Sequence, residues 1–172
     1  DQAFTQGQMI TVTGIDNLNE WWIDPDFFEK QSDGALKFLP INGDYRVTAN
    51  AVLKYFSVMA LKDGKPAKLQ DDGTGAIWAI GKGIGKPSVT SSEVGWEPSK
   101  ALCLAQVASK KYQLTLKAGE TLKTSGDPEV ISFKFFHQND WGGEFGNYAS
   151  SILVEQLKLA DSGNLEMQDN KA

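Results

Sequence analysis

The strongest constraint on the fold is the close alternation of short strand-like runs with turn signals along the chain. Runs such as "DYRVTAN", "GAIWAIG" and "VISFKFFHQ" are rich in apolar, β-branched and aromatic residues. The segments between them are typical turn sequences, such as "INGD", "KDGKP", "DDGTG" and "SGDP". Because strands at this spacing pair most readily with their neighbours, the sequence predicts an all-β protein built from antiparallel β-sandwich modules.

Two segments depart from this pattern. In "WWIDPDFFEK", Asp24 is placed to cap a helical turn and Pro25 suits the first helical position. "SILVEQLKLA" fits either a strand or a helix, and a strand is favoured because "DSGN" and "LEM" follow it as in a closing hairpin. Within the predicted strands, Trp78 and Cys103 are expected in the core, Cys103 as a buried structural thiol.

The two halves of the chain share an order of parts. In each half a Trp segment with a nearby Pro, beginning at Trp22 or Trp96, precedes a Gly turn and a Lys-aromatic strand. The gaps between these parts differ by loop-sized amounts, as expected of repeated modules. The sequence therefore predicts two tandem immunoglobulin-like sandwich units, a smaller one at residues 1–68 and a second at residues 69–172.

Composition excludes several classes of function. The net charge is −5 and Arg46 is the single arginine, whereas nucleic-acid binders present a basic stripe to the phosphates. No apolar run approaches the ~20 residues of a membrane span. Because the sequence starts abruptly at Asp1, a targeting segment is expected to lie outside it.

The stretch "FKFFHQNDWGGEFGNY" is the densest candidate for a binding site. A sugar ring needs a flat apolar surface for its C–H face and polar groups for its hydroxyls. Trp141 supplies the surface, and Gly142 and Gly143 let the backbone turn sharply beside it. The polar residues around this tryptophan are Gln138, Asn139, Asp140, Glu144 and Asn147.

Each aromatic residue of this region has a structural alternative. Trp141 either presents its ring to a ligand or folds back to plug the end of the sandwich. Trp96, in "EVGWEPSKA", either forms a second wall of the site or anchors its loop to the core. His137 is in phase with Phe133 and Phe135, so it is expected to pack rather than to act as a base.

Other chemistries receive little support. Nothing in the sequence sets two carboxyl groups across a cleft as a glycosidase requires, so no catalytic residues are predicted. The acidic residues around Asp24 and Asp71 lack the spacing of a calcium loop and are expected to form ordinary turns. "GKGIGKPS" lacks the final Gly-Lys-Ser/Thr order of a phosphate loop. We therefore expect neither a metal nor a cofactor.

The second half of the chain resembles a known family in the order of its motifs. "AIWAIG", "GWEPSKAL", "KYQLTLKAGE" and "FKFFHQNDWGGEFG" follow one another over roughly residues 76–150. This order resembles the starch-binding modules of the SusE and SusF cell-surface lipoproteins and is similar to the sandwich modules attached to some amylopullulanases. The first half keeps "WWIDPDFF", "GDYRV" and "KYF" but has no counterpart of the segment that starts at Trp141.

The resemblance implies non-catalytic binding of a starch-like polysaccharide or oligosaccharide at the extracellular face of the outer membrane. It further implies a lipid anchor outside this sequence and SusC/SusD-like transport components as partners. The alternative is a protein–protein interaction or structural module with no sugar site. The candidate ligand-binding residues are Trp141, Trp96, Asn139, Asp140, Glu144 and Lys134.

Overall fold

The structure, a computed structural model, describes residues 1–145 and two later strands, and it is almost entirely β. The strands are β1 (Gln2–Phe4), β2 (Met9–Ile10), β3 (Phe28–Lys30), β4 (Leu36–Phe38), β5 (Gly43–Asn50), β6 (Tyr55–Lys62), β7 (Lys65–Pro66), β8 (Trp78–Gly85), β9 (Glu93–Gly95), β10 (Leu102–Cys103), β11 (Ala105–Ala108), β12 (Lys111–Gln113), β13 (Ser132–Phe136), β14 (Leu157–Leu159) and β15 (Leu165–Met167). The helix α1 spans Val89–Ser92, and 3-10 turns span Leu18–Glu20 and Pro98–Lys100. The predicted all-β, antiparallel class is confirmed.

The chain divides into two compact units that are not simple halves of the sequence. Unit 1 contains Asp1–Ala76 and Cys103–Thr115, and unit 2 contains Ile77–Leu102 and Leu116–Ala172. The return of the chain to unit 1 for one short segment has no counterpart in the sequence pattern.

Unit 1 is built from three antiparallel sheets. One has the strand order β1-β5-β6-β7, the second has the order β2-β4-β3, and the third is the pair β11-β12. The β5–β6 pairing is the longest and runs in register from Asp44 opposite Leu61 to Asn50 opposite Tyr55. These strands alternate apolar and polar residues, which is the pattern that commits one face of a sheet to a core.

Aromatic rings fill the core of unit 1. Phe38 of β4 stacks on Phe4 of β1 with ring centroids 4.7 Å apart and meets Tyr45 of β5 edge-on at 4.9 Å. Phe38 is fully buried, and Phe4 and Tyr45 are nearly so. Because these rings come from the first two sheets, they join the two in the manner of a sandwich.

Unit 2 is organised around β8. This strand pairs with β13, which pairs with β15 and through it with β14, and β9 also pairs with β8. Trp78, Ile80 and Ile84 are fully buried, so the prediction that Trp78 belongs to the core is confirmed. For "SILVEQLKLA", Leu157–Leu159 form a strand as favoured; the rest of that segment lies outside the described residues.

The glycines of "GKGIGK" belong to β8 and allow close packing of the strand. A Cβ at Gly81 would lie 2.3 Å from the Cα of Phe133 and 2.4 Å from the carbonyl oxygen of Ser132. Both atoms belong to the backbone of β13, so no side chain at residue 81 fits there. This close approach explains why a glycine stands in the centre of the strand, in a sequence whose glycine pattern resembles that of a phosphate loop.

The segment "WWIDPDFFEK" forms a single turn before a strand. The amide of Phe28 donates to the carbonyl oxygen of Asp24 at 2.9 Å, which closes one helical turn, and β3 begins at the same phenylalanine. Trp21 stacks on Phe56 and Trp22 meets Tyr55 edge-on, so both indoles are half-buried within unit 1. Cys103 is buried, as predicted.

Candidate functional site

The stretch that begins at Phe133 is a strand that turns back on itself as a tight hairpin. Phe136, the last residue of β13, forms an isolated antiparallel bridge with Glu144. The amide of His137 donates to the carbonyl oxygen of Gly143 at 2.8 Å, and the amide of Phe145 donates to the carbonyl oxygen of Phe135 at 2.9 Å. Residues 138–142 therefore form the hairpin loop, and Trp141 lies within it.

The glycine pair after Trp141 makes this reversal possible. Gly142 has φ +82° and Gly143 has φ +67°, in the left-handed region that other residues rarely adopt. A Cβ at Gly143 would also lie 3.3 Å from the Cβ of His137. The glycines are thus required by the turn itself.

The loop holds the backbone of Trp141 from two sides. The amide of Trp141 donates to Oδ1 of Asp140 at 2.7 Å, and Nε2 of Gln138 donates to the carbonyl oxygen of Trp141. Polar residues that the sequence offers as ligand contacts are here partly engaged in fixing the tryptophan. A ring whose backbone is fixed loses less conformational entropy when a ligand covers it.

The indole of Trp141 is half exposed, with 49% of the residue accessible to solvent. Its ring centroid lies 6.4 Å from that of Trp96 at an interplanar angle of 27°, so the two rings are nearly parallel. Phe136 meets the same indole edge-on at 5.9 Å and is fully buried. Trp141 is therefore a surface residue supported from beneath, and it does not plug the end of the sheet.

Trp96 reaches this position from the other side of β8. It follows directly after β9, whose Gly95 has φ +59° and pairs with Gly81 of β8, while β13 pairs with the other edge of that strand. Trp96 is half-buried. The paired-tryptophan surface, defined here as Trp96 and Trp141, thus depends on the central strand of unit 2, which spaces the two loops.

The remaining predicted residues differ in how exposed they are and in whether their side chains already have a hydrogen-bond partner. Asn139 is half-buried and Glu144 is exposed, and the side chains of both have no hydrogen-bond partner among the residues that the structure describes. Lys134 lies on β13 opposite Ile80, two positions before Phe136 and hence on the same face of the strand. Asp140 is exposed, but its carboxylate braces the loop. Asn147 lies outside the described residues.

Phe136 contributes to the site without having been singled out by the sequence, since it supports the indole of Trp141. Its signal is the register of β13, which places it opposite Trp78 in the core. Gln138, which the sequence offers as a polar neighbour of Trp141, holds the backbone of that tryptophan. His137 is half-buried and packs edge-on against Phe145 at 4.3 Å, in keeping with a packing role.

The described part of the chain shows no metal centre. Residues 1–145 and the two later strands contain no group of three or more His, Cys, Asp or Glu side chains that could hold a metal ion. Asp24 of "WWIDPD" forms a turn, since its Oδ1 accepts from the amide of Asp26 at 3.0 Å. Asp26 departs from the predicted ordinary turn, because its buried carboxylate accepts hydrogen bonds from Gln113 and Thr115. In the same residues no helix has the length and apolar character to cross a membrane.

Fold and site together define an all-β protein that presents a pair of tryptophans beside a tight hairpin. The chain belongs to the family described as domain of unknown function (DUF5121), whose family model matches residues 72–172. Residues 2–69 match a second model, described as domain of unknown function (DUF5125). No curated protein and no solved structure matches the chain. The resemblance to SusE and SusF modules stays a prediction.

Proposed function

We propose that the protein binds a glycan without catalysis, and that the paired-tryptophan surface of unit 2 holds the sugar. The observation that carries this proposal is the half-exposed indole of Trp141, set nearly parallel to Trp96. Flat, amphipathic rings of this kind complement the C–H face of a pyranose. A starch-like polysaccharide is the proposed ligand class, because the motif order resembles starch-binding modules.

The polar residues of the loop divide into two roles under this proposal. The side chains of Asn139 and Glu144 have no hydrogen-bond partner in the described structure, so their amide and carboxylate are available to sugar hydroxyls. Asp140 acts on the sugar only indirectly, because it accepts from the amide of Trp141. Lys134 lies on the face of β13 that supports the indole and would contact a ligand that extends beyond the loop.

The affinity should be modest. Two indoles on an open surface correspond to a Kd of about micromolar to millimolar, or about −8 to −4 kcal/mol. An array of such modules at a cell surface would raise the overall avidity. We place the protein on the extracellular face of the outer membrane, carried by a lipid anchor and working with SusC/SusD-like components, on the strength of the resemblance alone.

Affinity electrophoresis in gels containing soluble starch tests the proposal, followed by a glycan array if starch gives no retardation. Trp141→Ala should abolish retardation, and Trp96→Ala should weaken it less. About half of the indole is covered. With ~200 Å² for a tryptophan and ~25 cal/mol per Å², Trp141→Ala should also lower the free energy of unfolding by about 2.5 kcal/mol.

A matched control separates binding from this loss of packing. Trp22→Ala removes another half-buried indole with an edge-on aromatic neighbour, but from unit 1. It should reduce stability by a similar amount and leave glycan retardation unchanged. Equal loss of binding in both variants, or no glycan bound by the parent protein in either assay, would refute the proposed function and leave the alternative of a protein-interaction or structural module.

A further inference from the structure

Unit 1 contains a polar groove that is separate from the paired-tryptophan surface. Its volume is about 670 Å³, within the range of about 300–1,000 Å³ that small-molecule sites occupy. The start of β5, the end of β6 and the loop from Ala67 to Gly75 form its walls, and Gln106 of β11 also lines it. All of these residues belong to unit 1.

The most informative residue of the groove is Gln106, which is only 6% exposed. Its Nε2 donates to the carbonyl oxygen of Gly73 at 3.2 Å, and the hydroxyl of Tyr112 donates to the same oxygen at 3.2 Å. A carbonyl oxygen only accepts, so this contact fixes which end of the amide faces Gly73. Oε1 of Gln106 therefore points away from Gly73.

This oxygen has no donor in the described structure. Residues 1–145 and the two later strands provide no hydrogen bond to Oε1 of Gln106. Buried acceptors are nearly always satisfied, because leaving one without a donor costs free energy. A hydroxyl or amide group entering the groove would supply the missing donor.

The rim of the groove determines which ligand suits it. Three carboxylates, Asp44, Asp63 and Asp72, and two ammonium groups, Lys62 and Lys68, line it. Asp72 accepts hydrogen bonds from Thr74, whereas the other four rim side chains have no ion-pair or hydrogen-bond partner among the described residues. With a surplus of one carboxylate, a strongly charged ligand of either sign meets both kinds of charge and gains little, whereas hydroxyl groups, which both donate and accept, can use both kinds of rim group.

The groove differs from the site of unit 2 in offering no stacking surface. Tyr45 is its aromatic residue, but it is 4% exposed and its hydroxyl donates to the carbonyl oxygen of Ile41 at 2.9 Å. Recognition here would rest on hydrogen bonds. We propose that this groove of unit 1 is a second saccharide-binding site, with Oε1 of Gln106 as the buried acceptor and the four rim side chains that lack a partner among the described residues as contacts to hydroxyls. The proposal rests on the proposed glycan-binding function.

Amide chemical-shift titrations of the whole, isotopically labelled chain test it, with maltoheptaose as the first probe and cellohexaose and xylohexaose as the next. The titration is done on the parent and on Trp141→Ala, which lacks the first site. In Trp141→Ala the amides of Asp44, Lys68 and Thr74 should shift and saturate. Adding Asp44→Ala with Lys68→Ala, both at exposed positions, should weaken this binding by about tenfold or more. Gln106→Met, which removes the buried acceptor, should weaken binding in the groove by a similar factor.

The outcomes separate the two proposals. Shifts near Trp141 in the parent with none in the groove would overturn the second site and leave the proposed function intact. Shifts in the groove with none near Trp141 would support the second site and refute the first. If no probe shifts any amide of the parent, both fail. Groove shifts that the rim and Gln106 substitutions leave unchanged would also overturn the assignment, and because the rim variants alter only exposed residues, the test does not depend on the folding of Gln106→Met.

Discussion

Asp26 is the polar residue on which the stability of unit 1 should depend most. Its carboxylate is fully buried and accepts three hydrogen bonds from the segment that returns to this unit. The donors are Nε2 of Gln113 at 2.9 Å, the amide of Thr115 at 2.7 Å and the hydroxyl of Thr115 at 2.6 Å. Residues 26 and 115 are 89 positions apart, so this contact closes a long loop.

The loss of stability expected when Asp26 is replaced can be estimated from these contacts. A hydrogen bond to a charged group contributes about 1.5–3 kcal/mol, so three of them in a fully buried site would sum to about 4.5–9 kcal/mol. Thr115 is exposed and Gln113 is half-buried. After the carboxylate is removed, these donors therefore bond to water and regain part of the lost hydrogen-bond free energy. We expect Asp26→Ala to lower the free energy of unfolding by about 3–5 kcal/mol. Asp26→Asn keeps one acceptor and should cost about half as much.

Asp72 provides a matched control for this substitution. Its carboxylate accepts from the amide of Thr74 at 2.9 Å and from the hydroxyl of Thr74 at 2.7 Å, the same pair of donors that Thr115 offers to Asp26. Asp72 is exposed, however, so water replaces its contacts and Asp72→Ala should leave stability nearly unchanged.

Urea unfolding followed by circular dichroism is the assay. With an m-value of about 2 kcal/mol per M, Asp26→Ala should move the midpoint down by about 2 M. Hydrogen exchange should show faster exchange in residues 103–115, the segment that Asp26 holds. A midpoint shift no larger than that of Asp72→Ala would refute the argument that burial makes this carboxylate important.

Two further predictions concern unit 1 and the centre of unit 2. Burial raises the pKa of Tyr112 to about 12, and that of Tyr45 is raised as well. The unfolded chain ionises its tyrosines near pH 10, whereas the folded protein keeps these two neutral. The free energy of unfolding is therefore at its full value below about pH 10 and falls as the pH rises toward the folded pKa values. Tyrosinate absorbance and urea midpoints measured across this range check it, and a single transition of all tyrosines near pH 10 in the folded protein would contradict it. Gly81→Ala should cost about 3 kcal/mol or more, because its Cβ would meet the Cα of Phe133 at 2.3 Å. Gly43→Ala, whose Cβ would lie 3.4 Å from the Tyr45 ring, should change the urea midpoint little; equal effects of the two substitutions would contradict the packing argument.

The hairpin at Trp141 shows how far local sequence reasoning reaches into the site. The alternation in "FKFFHQ" predicts the strand, and the glycine pair predicts the sharp turn that follows it. The local sequence leaves open whether the indole is exposed or buried, because that depends on what other segments place beside it. Phe136 beneath and Trp96 alongside are the neighbours that leave 49% of Trp141 in solvent.

The sequence by itself determined the all-β class, the buried Trp78 and Cys103, and the turn at Gly142. These features depend on periodicity and backbone conformation, which neighbouring residues specify. The tertiary structure alone decided that residues 103–115 return to unit 1 and that Gln106 keeps an acceptor without a donor in the described residues. Both arise from contacts between segments far apart in the chain. No periodic pattern in the local sequence indicates such contacts. The free energy that selects them comes from burial and strand pairing in the assembled sheets.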